Sequence, residues 1–403
     1  MDSQSAKARR ASDGLDSVRV LKPRRAAPAD AVRPTRAEVN LAALRHNLRV
    51  VARHAGTSHV WPVLKADGYG HGAPAVARTL ERAGAEGFCV ALLEEAIELR
   101  DAGIRVPILV MGGYYGGPHG AYEEIAMRGV VPVIYDASHV EGLARAAREL
   151  GRPVEAHLKV DTGMARLGVR MGDLESFAET LALHPEVQIT GLMTHLACAE
   201  DDGNPTTDQV ARFEEATTRL ARAGVQPKIR HAANSAAVLR GSALYDVVRP
   251  GIAIFGVAPR HDDQPLSSEL KAVMRVRSEI VDLRSLEEGE AVGYGALWRA
   301  PKKSRIATIP VGYADGLSRQ LSNKGHVLIN GQRAPIVGAI SMDMSMVDVT
   351  DIAGVSIRDE VVVLGAQGKD AVGADETARH AGTIAWEVLT SISRRVPRFY
   401  REP

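Results

Sequence analysis

The stretch HVWPVLKADGYGHGAPAVARTLERAG, residues 59–84, contains an apolar run, a glycine-rich loop and a helical pattern that ends at a glycine. The apolar run is typical of a buried parallel strand, and glycine commonly terminates a helix. The run ends on Lys65, and three glycines at alternate positions follow in the loop. If this strand–loop–helix unit recurs, the chain forms a parallel sheet covered by helices.

The unit recurs up to about residue 256. Seven further apolar runs favour buried parallel strands: GFCVAL (87–92), PILVMG (107–112), VVPVIYD (130–136), VEAHLKVD (154–161), QITGLMTH (188–195), PKIRHAAN (227–234) and YDVVRPGIAIFG (245–256). Helical patterns such as SHVEGLARAARELG (138–151) lie between them. Eight such units, with right-handed crossovers, predict an α/β fold of the (β/α)8 TIM-barrel type. An open, doubly wound sheet is the alternative.

The pattern changes after about residue 270. VMRVRSEIVDL (273–283), SRIATIPVGY (304–313), MSMVDVT (344–350) and EVVVLG (360–365) predict strands joined by turns. Asn330 and Gly331 stand between two further apolar runs and are a strong hairpin signal. We therefore predict a barrel over residues 35–270 and a C-terminal, mainly β-strand domain over residues 271–403. This domain ends in one helical stretch, TARHAGTIAWEVLTSIS (377–393).

Composition limits the function classes. The 403 residues carry a formal net charge of +1 and 4% aromatic residues, which argues against a nucleic-acid partner. Two cysteines favour a reducing compartment, and no run approaches the roughly 20 apolar residues of a membrane span. We expect a cytoplasmic protein without a membrane partner. Residues 1–34, which are rich in Arg, Ser and Pro, are expected to form a disordered extension.

Polar residues gather where the predicted strands end. Chemistry in a barrel is concentrated at the carboxyl ends of its strands. The residues at or near these ends are Lys65, Lys159, Asp161, Arg166, His195, Asn234, Ser235 and Arg249. Their convergence predicts one functional mouth and is a stronger argument than any one residue.

Lys65 has two interpretations. An amine at a dry strand end loses its charge more readily than one in water, so Lys65 is a candidate for a covalent bond to a carbonyl group. Alternatively, the side chain simply reaches solvent. The loop GYGHGA (68–73) also fits the loose dinucleotide fingerprint G-x-G-x-x-A, which has a high false-positive rate. Position alone leaves these alternatives open.

The other candidates are equally open when each is taken alone. His195 is a metal ligand, a proton relay or a core histidine, but no second histidine follows at a metal-binding spacing, so we predict no metal site. Arg249 lies between apolar neighbours and needs an acceptor, either structural or on a ligand. Asn234-Ser235 is also a helix-cap pattern. Tyr294 is alternatively an ordinary strand residue, and Asp343 a turn residue.

The segments together resemble the fold-type III alanine racemases, which use pyridoxal 5′-phosphate (PLP). The similarity runs from about residue 35 to residue 403. Its motifs, in order, are VLKADGYGHG (63–72), LKVDTGMARLG (158–168), MTHLACAED (193–201), HAANSAA (231–237), VVRPGIAIFG (247–256), VGYGAL (292–297), IPVGYADG (309–316) and ISMDMSMVDV (340–349). Eight coincidences would be needed to explain them otherwise.

The resemblance implies a fold, a reaction and a partner. The fold is an N-terminal (β/α)8 barrel followed by a β domain. The reaction is the interconversion of L-alanine and D-alanine, which supplies D-alanine for cell-wall peptidoglycan. The partner is a second copy in a head-to-tail homodimer, whose β domain completes each active site. The implied acid–base pair is Lys65 of one chain and the partner's Tyr294.

The resemblance also implies a cofactor site. The positions that match the family's PLP contacts are Lys65, Tyr69, Arg166, Asn234, Ser235, Arg249, Gly251, Ile252 and Trp386. Lys65 matches the lysine that holds PLP, and Arg249 matches the arginine at its pyridine nitrogen. His195 matches the histidine between this arginine and the catalytic tyrosine, which makes His195 and Arg249 part of the catalytic set.

Further positions match the family's substrate contacts. Arg166, Met342 and Asp343 match residues that bind the substrate carboxylate, the latter two from the partner chain. Tyr313 matches a residue that lines the entry, and Lys159 matches a lysine that is carbamylated in many members.

One departure concerns specificity. The family commonly has tyrosine where this chain has Trp386 in TIAWEVL (383–389), and an indole has no hydroxyl. A broader racemase acting on serine or lysine is therefore the first alternative. A fold-type III decarboxylase and a non-catalytic PLP-binding protein are more distant alternatives. Decarboxylases place an acidic residue at the pyridine nitrogen, and the non-catalytic proteins are lone barrels.

Overall fold

The computed structural model describes residues 31–112, 120–201, 204–259 and 266–402. The extension predicted over residues 1–34 therefore lies outside the described residues, except for its last four. The described chain contains a ring of parallel strands covered by helices and a sheet of mostly antiparallel strands. No helix in the described segments is both long and apolar enough to cross a membrane.

The first ten strands include those of the barrel. In chain order they are β1 (Arg36–Asn40), β2 (His59–Val60), β3 (Phe88–Val90), β4 (Ile108–Val110), β5 (Val131–Ile134), β6 (Val154–Asp161), β7 (Val169–Arg170), β8 (Val187–Met193), β9 (Ile229–His231) and β10 (Val247–Val248). Seven of the eight apolar runs predicted as barrel strands overlap one of β3–β6 and β8–β10, and the eighth overlaps β2. The fully buried side chains of strands such as β3 and β4 explain why these runs are apolar throughout.

The parallel strands close into a ring. Strands β3-β4-β5-β6-β8-β9 pair in this order, and β10 pairs with β2. A bridge between Val63 and Cys89 joins the chain after β2 to β3. At the other end, Arg249 N donates to Ala233 O over 2.9 Å and links the chains that follow β9 and β10. The closed ring confirms the predicted barrel, because an open sheet has two free edges.

Helices alternate with these strands. They are α1 (Leu41–Ala55), α2 (Lys65–Tyr69), α3 (Ala73–Arg82), α4 (Leu93–Asp101), α5 (Ala121–Arg128), α6 (Ala137–Leu150), α7 (Leu174–Ala182), α8 (Asn204–Arg222) and α9 (Ser235–Leu239). Several begin and end at residues that the sequence marks. The side chain of Asp136 accepts a hydrogen bond from Ser138 N at the start of α6, and α6 ends at the left-handed Gly151.

The strand-rich part contains one large sheet, a separate two-stranded sheet and short helices. Its strands are β11 (Met274–Glu279), β12 (Asp282–Leu286), β13 (Ala291–Val292), β14 (Trp298–Arg299), β15 (Ser304–Ile309), β16 (His326–Ile329), β17 (Gln332–Val337), β18 (Ser345–Asp348), β19 (Glu360–Gln367), β20 (Asp370–Val372) and β21 (Arg398–Arg401). Its helices are α10 (Leu266–Glu269), α11 (Ala374–Ala381) and α12 (Ala385–Ser391). The predicted hairpin is confirmed: β16 pairs with β17, and Asn330 and Gly331 both have positive φ.

Two features differ from the sequence-based expectation. Strand β1, which the predicted barrel range includes, pairs with β11 and β21 of the strand-rich sheet. The predicted single C-terminal helix is wrong, because it is two helices, α11 and α12, separated at Gly382, whose φ of 70° breaks a right-handed helix. Strand β1 therefore joins the start of the barrel part to the strand-rich sheet, and the domain boundary near residue 270 stays a prediction.

Candidate active site

A cavity of about 560 Å³ opens at the carboxyl ends of the barrel strands. Nine of the predicted cofactor-site and catalytic residues line it: Lys65, Tyr69, His195, Asn234, Ser235, Arg249, Gly251, Ile252 and Trp386. Eight of them follow or end barrel strands, as a barrel site requires. Trp386 comes from α12 of the strand-rich part. The sequence thus predicted half of the residues that line this cavity.

Lys65 stands where the chain leaves the ring after β2. Burial lowers the pKa of its amine, and the nearby Arg166 guanidinium lowers it further, while the Glu95 carboxylate opposes both. A lowered pKa raises the fraction of neutral, nucleophilic amine at neutral pH. Lys65 is exposed in the single chain, as the wall of an open cavity allows, and its lowered pKa supports the chemical interpretation.

Arg249 is the buried cation of the cavity, only 2% exposed. Its Nη2 donates to the carbonyl oxygens of Thr194 and Ala232 over 2.8 and 3.1 Å, and its Nη1 lies 2.7 Å from His231 Nδ1. Burial lowers the pKa of Arg249 to about 10, so it stays protonated at neutral pH. These acceptors are neutral, and they fix the guanidinium without cancelling its charge.

The contact with Arg249 orders a pair of buried histidines. Arg249 has no acceptor, so His231 Nδ1 accepts and its Nε2 carries the proton. His231 Nε2 lies 2.8 Å from His157 Nδ1, which therefore accepts in turn. Burial is the main cause of the lowered pKa values of His157 and His231, and Arg249 lowers both further. Both histidines are therefore neutral. In this series of hydrogen bonds, the charged group is the guanidinium of Arg249.

His195 is also held neutral. Burial, reinforced by the cations Arg249 and Arg166, lowers its pKa to about 3. Its Nδ1 lies 3.5 Å from Arg249 Nη2. A neutral imidazole beside an arginine accepts a proton poorly, so this geometry suits a residue that transmits the guanidinium's field rather than a general base.

Asn234 and Ser235 each contact the backbone beside the cavity. The Asn234 side chain accepts from Ala237 N at the start of α9, which is the helix-cap role that its sequence position allows. Ser235 Oγ accepts from Gly251 N over 2.8 Å. A Cβ atom on Gly251 would stand 2.2 Å from the Tyr69 hydroxyl, so the close approach requires glycine. These residues leave a shaped, polar recess at one end of the cavity.

Lys159 and Arg166 lie near the cavity but do not line it. Lys159 is 5% exposed, and burial followed by the fields of Arg166 and Arg249 lowers its pKa to about 8. Arg166 is exposed. Its charge nevertheless lowers the pKa values of Lys65, Lys159 and His195, which shows that it lies close to all three.

The remaining predicted residues lie on the surface of the strand-rich part, away from this chain's own cavity. Tyr294 is 75% exposed, and Tyr313 and Met342 are about half exposed. Tyr313 N donates to Ser341 O over 3.0 Å, which joins two of the predicted segments. Asp343 accepts from Arg395 Nη2 over 2.6 Å, so it is more than a turn residue. None of these residues lines the cavity that contains Lys65 in the described part of the chain.

Sequence reasoning missed several residues at the site. His157 and His231 were inside quoted motifs but were not singled out; His157 stands two residues before Lys159 in β6, so the two share one face of the strand. Glu95 and Arg398 were also missed. Elsewhere in the described chain, the side chains of His326, Glu376 and His380 place possible metal-ligand atoms within 4.8 Å of one another. Arg333, however, donates hydrogen bonds to both carboxylate oxygens of Glu376, so these oxygens already have a partner.

Two family models match the chain. The model for the alanine racemase N-terminal domain matches residues 39–259, and the model for the alanine racemase C-terminal domain matches residues 273–400. A curated relative from Sorangium cellulosum, named alanine racemase, is 60% identical over 383 residues that span 92% of this chain and 100% of the relative. A relative of the same name from Symbiobacterium thermophilum is 43% identical over 373 residues, with 92% and 98% covered.

Solved structures match equally well. The alanine racemase from Streptomyces coelicolor A3(2) superposes with a TM-score of 0.87 at 35% identity, covering 92% of this chain and 99% of that one. The alanine racemase from Bartonella henselae with covalently bound pyridoxal phosphate has a TM-score of 0.81 at 34% identity, with 91% and 99% covered. Barrel, strand-rich part and cavity thus lie within the matched regions, and the chain belongs to the alanine racemase family and is an enzyme that racemises alanine.

Proposed function

We propose that the chain racemises alanine with PLP held by Lys65, as one half of a dimer in which Lys65 and the partner's Tyr294 exchange the α-proton on opposite faces. When bound, the cofactor withdraws electrons from the substrate and makes its α-proton acidic. The observation that carries the proposal is the cavity in which a lysine of lowered pKa and a buried arginine line the same wall. The resemblance of the motifs supports it.

The residues present fit the cofactor. A phosphate needs a recess with donors, and the hydroxyls of Tyr69 and Ser235 border the position where a Cβ on Gly251 would clash. A carbonyl needs an uncharged amine, and the lowered pKa of Lys65 raises the fraction of its amine that is uncharged. An aromatic ring nitrogen needs a partner whose protonation state does not change. Arg249 remains a cation at neutral pH, so it would donate a hydrogen bond without transferring its proton. The 560 Å³ cavity is large enough for a drug-sized ligand.

Racemisation needs two groups on opposite sides of the substrate's α-carbon. One takes the proton and the other returns one, and each works best with a pKa near the working pH. On the barrel side, burial and the Arg166 charge shift the pKa of Lys65 in this direction. His195, neutral and next to Arg249, would orient a tyrosine hydroxyl and pass on the arginine's electrostatic effect, which favours loss of the phenolic proton.

Within one chain, the described lining of the cavity offers no tyrosine opposite Lys65, since Tyr69 belongs to the same turn as Lys65. The exposed Tyr294, Leu297, Tyr313, Met342 and Met344 are large apolar residues on the strand-rich part. Such a group of exposed apolar side chains is typical of an interface. We infer that it meets the mouth of a second barrel, in a head-to-tail dimer whose shared site takes Met342, Asp343 and Tyr313 from the partner.

Further parts of the proposal rest on the resemblance. Arg166 and Asp343 would contact the substrate carboxylate, and Lys159 would carry a carbamate near Arg166. The product D-alanine would enter cell-wall peptidoglycan, and the enzyme would work in the cytoplasm. Trp386 lines the cavity where the family commonly has tyrosine, so the range of accepted amino acids is the part of the proposal most open to correction.

The experiment is a spectrum and a kinetic assay on the purified full chain. We expect PLP to bind with an absorption band that the Lys65→Ala variant lacks. We also expect L-alanine in deuterium oxide to lose its optical activity as its α-proton exchanges. A protein that binds PLP but leaves alanine unchanged while racemising serine or lysine would correct the substrate. A wild type that binds no PLP would contradict the proposal.

A further inference from the structure

The short element α2, which begins at Lys65, is not a right-handed α-helix but a left-handed helical turn. Residues 66–70 have φ values of 52°, 57°, 61°, 52° and 79° in succession. Gly68 N donates to Leu64 O over 2.8 Å and Gly70 N donates to Ala66 O over 2.9 Å, so the turn carries helix-like hydrogen bonds. Three of the five residues are not glycine. L-residues normally visit this region singly, because Cβ crowds the following carbonyl, so a run of five is strained and needs support from its surroundings.

One carboxylate supports the start of the turn. Glu95 Oε1 accepts from Ala66 N over 2.6 Å, and this N–H belongs to the peptide bond that joins Lys65 to Ala66. Glu95 Oε2 accepts from Ala91 N and Leu92 N over 2.8 and 3.1 Å, at the end of β3. The side chain therefore ties the main chain of Lys65 to the rigid ring of strands.

The far end of the turn is held by other groups. Gly70 O accepts from Arg398 Nε over 2.9 Å, and a Cβ on Gly70 would stand 2.4 Å from Leu389 O. Asp67 Oδ1 accepts from Ala73 N over 2.9 Å at the start of α3. These contacts fix residues 67–70 but do not touch the peptide of Lys65. Glu95 is thus the side chain that acts on the strained residue next to the amine-bearing one.

We propose that Glu95 is a positioning residue, which holds Ala66 in its left-handed conformation and so aims the Lys65 amine at the cofactor carbonyl. This inference rests on the proposed role of Lys65. Glu95 does not line the cavity, so it acts through the Lys65–Ala66 peptide and not by contact with a ligand. Its negative charge also raises the pKa of Lys65 against the effects of burial and Arg166.

The substitution Glu95→Gln isolates this role. A carboxylate accepts on both sides, whereas an amide has one accepting oxygen and one donating NH2 group. The two N–H groups of Ala91 and Leu92 compete with the single N–H of Ala66 for the oxygen, so the NH2 group is left facing Ala66. Glu94→Gln is the matched control, because Glu94 lies in the same first turn of α4, is exposed, and loses the same charge.

Two readouts test the proposal on the full chain. In Glu95→Gln, we expect the affinity of the cofactor-free protein for PLP to fall at least about tenfold, and amide hydrogen exchange across residues 64–72 to quicken by at least about tenfold. Adding Ala66→Gly should recover most of the lost PLP affinity, because glycine adopts positive φ without a steric cost. Glu94→Gln should match the wild type in both readouts.

Each contrary result is decisive. Glu95→Gln with wild-type exchange across the turn would overturn the proposal even if the protein bound no PLP, since exchange needs no cofactor. Equal losses in Glu94→Gln would assign the effect to helix charge. If the Glu95→Gln/Ala66→Gly protein binds PLP as weakly as Glu95→Gln does, then Glu95 does not act by holding the strained backbone of Ala66. If the wild type fails to bind PLP, the proposed function is refuted. The hydrogen-exchange measurement then still tests whether Glu95 holds the turn.

Discussion

Gly251→Ala tests the shape of the recess in which we place the cofactor phosphate. The new Cβ would stand 2.2 Å from the Tyr69 hydroxyl and 3.0 Å from its ring carbon Cζ, against 3.4–4 Å in ordinary contact. The hydroxyl would thus have to move by about 1.2 Å. Tyr69 is 5% exposed, and its ring packs 4.9 Å from that of Phe255, so the space to move is small.

The magnitude follows from this crowding. Overpacking a core costs about 1–3 kcal/mol, and here the displaced group is the phosphate contact itself. If this cost falls on the bound state, the Kd for PLP rises by about 5- to 150-fold. The assay is PLP titration of the cofactor-free full chain. Gly172→Ala is the control, because nothing lies within 4 Å of a Cβ at Gly172.

A double variant separates crowding from other damage. Tyr69→Phe removes the atom that Gly251→Ala meets first, so Gly251→Ala should cost at least about fivefold less in the Tyr69→Phe background than in the wild type. Wild-type PLP affinity in Gly251→Ala, or the same cost in both backgrounds, would refute our account of the recess.

Three further predictions concern other residues of the site. Tyr294→Phe should lose α-proton exchange on one face of alanine by at least about 100-fold more than on the other, measured by deuterium incorporation from each enantiomer; equal losses would contradict the two-base assignment. Lys159, with a pKa of about 8, should be neutral in roughly a tenth of molecules at pH 7 and increasingly so as pH rises through 8, so carbamate formation from labelled bicarbonate, seen by carbon NMR, should increase with pH and vanish in Lys159→Ala. Arg249→Ala should lower the free energy of unfolding in urea by about 3 kcal/mol, because the Thr194 and Ala232 carbonyls lose a buried charged donor; a loss below about 0.5 kcal/mol would show that they are otherwise satisfied.

Much of the fold could be predicted because its signals are local. The buried strands of the barrel are short apolar runs, and Asn330-Gly331 encodes a hairpin in two residues. The pairing of β1 with β11 and β21 could not be predicted, because it joins segments more than 200 residues apart and depends on tertiary packing. The break in the C-terminal helix, in contrast, has a local signal, because Gly382 adopts the left-handed conformation that ends a helix.

The site was predictable where position along a strand fixes direction. Lys65, His195 and Arg249 follow strands whose ends meet at one mouth, so their convergence follows from the barrel itself. Glu95 carried no such signal. Its contact with Ala66 depends on a left-handed turn, and alternating glycines in a sequence do not specify such a turn. Tyr294 does not line the cavity of its own chain, so its role came from the resemblance and not from the geometry of one chain.

The central claim is that each active site combines Lys65 of one chain with Tyr294 of another. The direct test mixes a Lys65→Ala chain with a Tyr294→Ala chain, each inactive alone, under conditions that let subunits exchange. A mixed dimer then contains one site with both residues intact and one with neither. The account predicts that racemase activity returns, up to about a quarter of the wild-type value per total chain when subunits pair at random. A mixture that exchanges subunits but stays inactive would contradict the shared site.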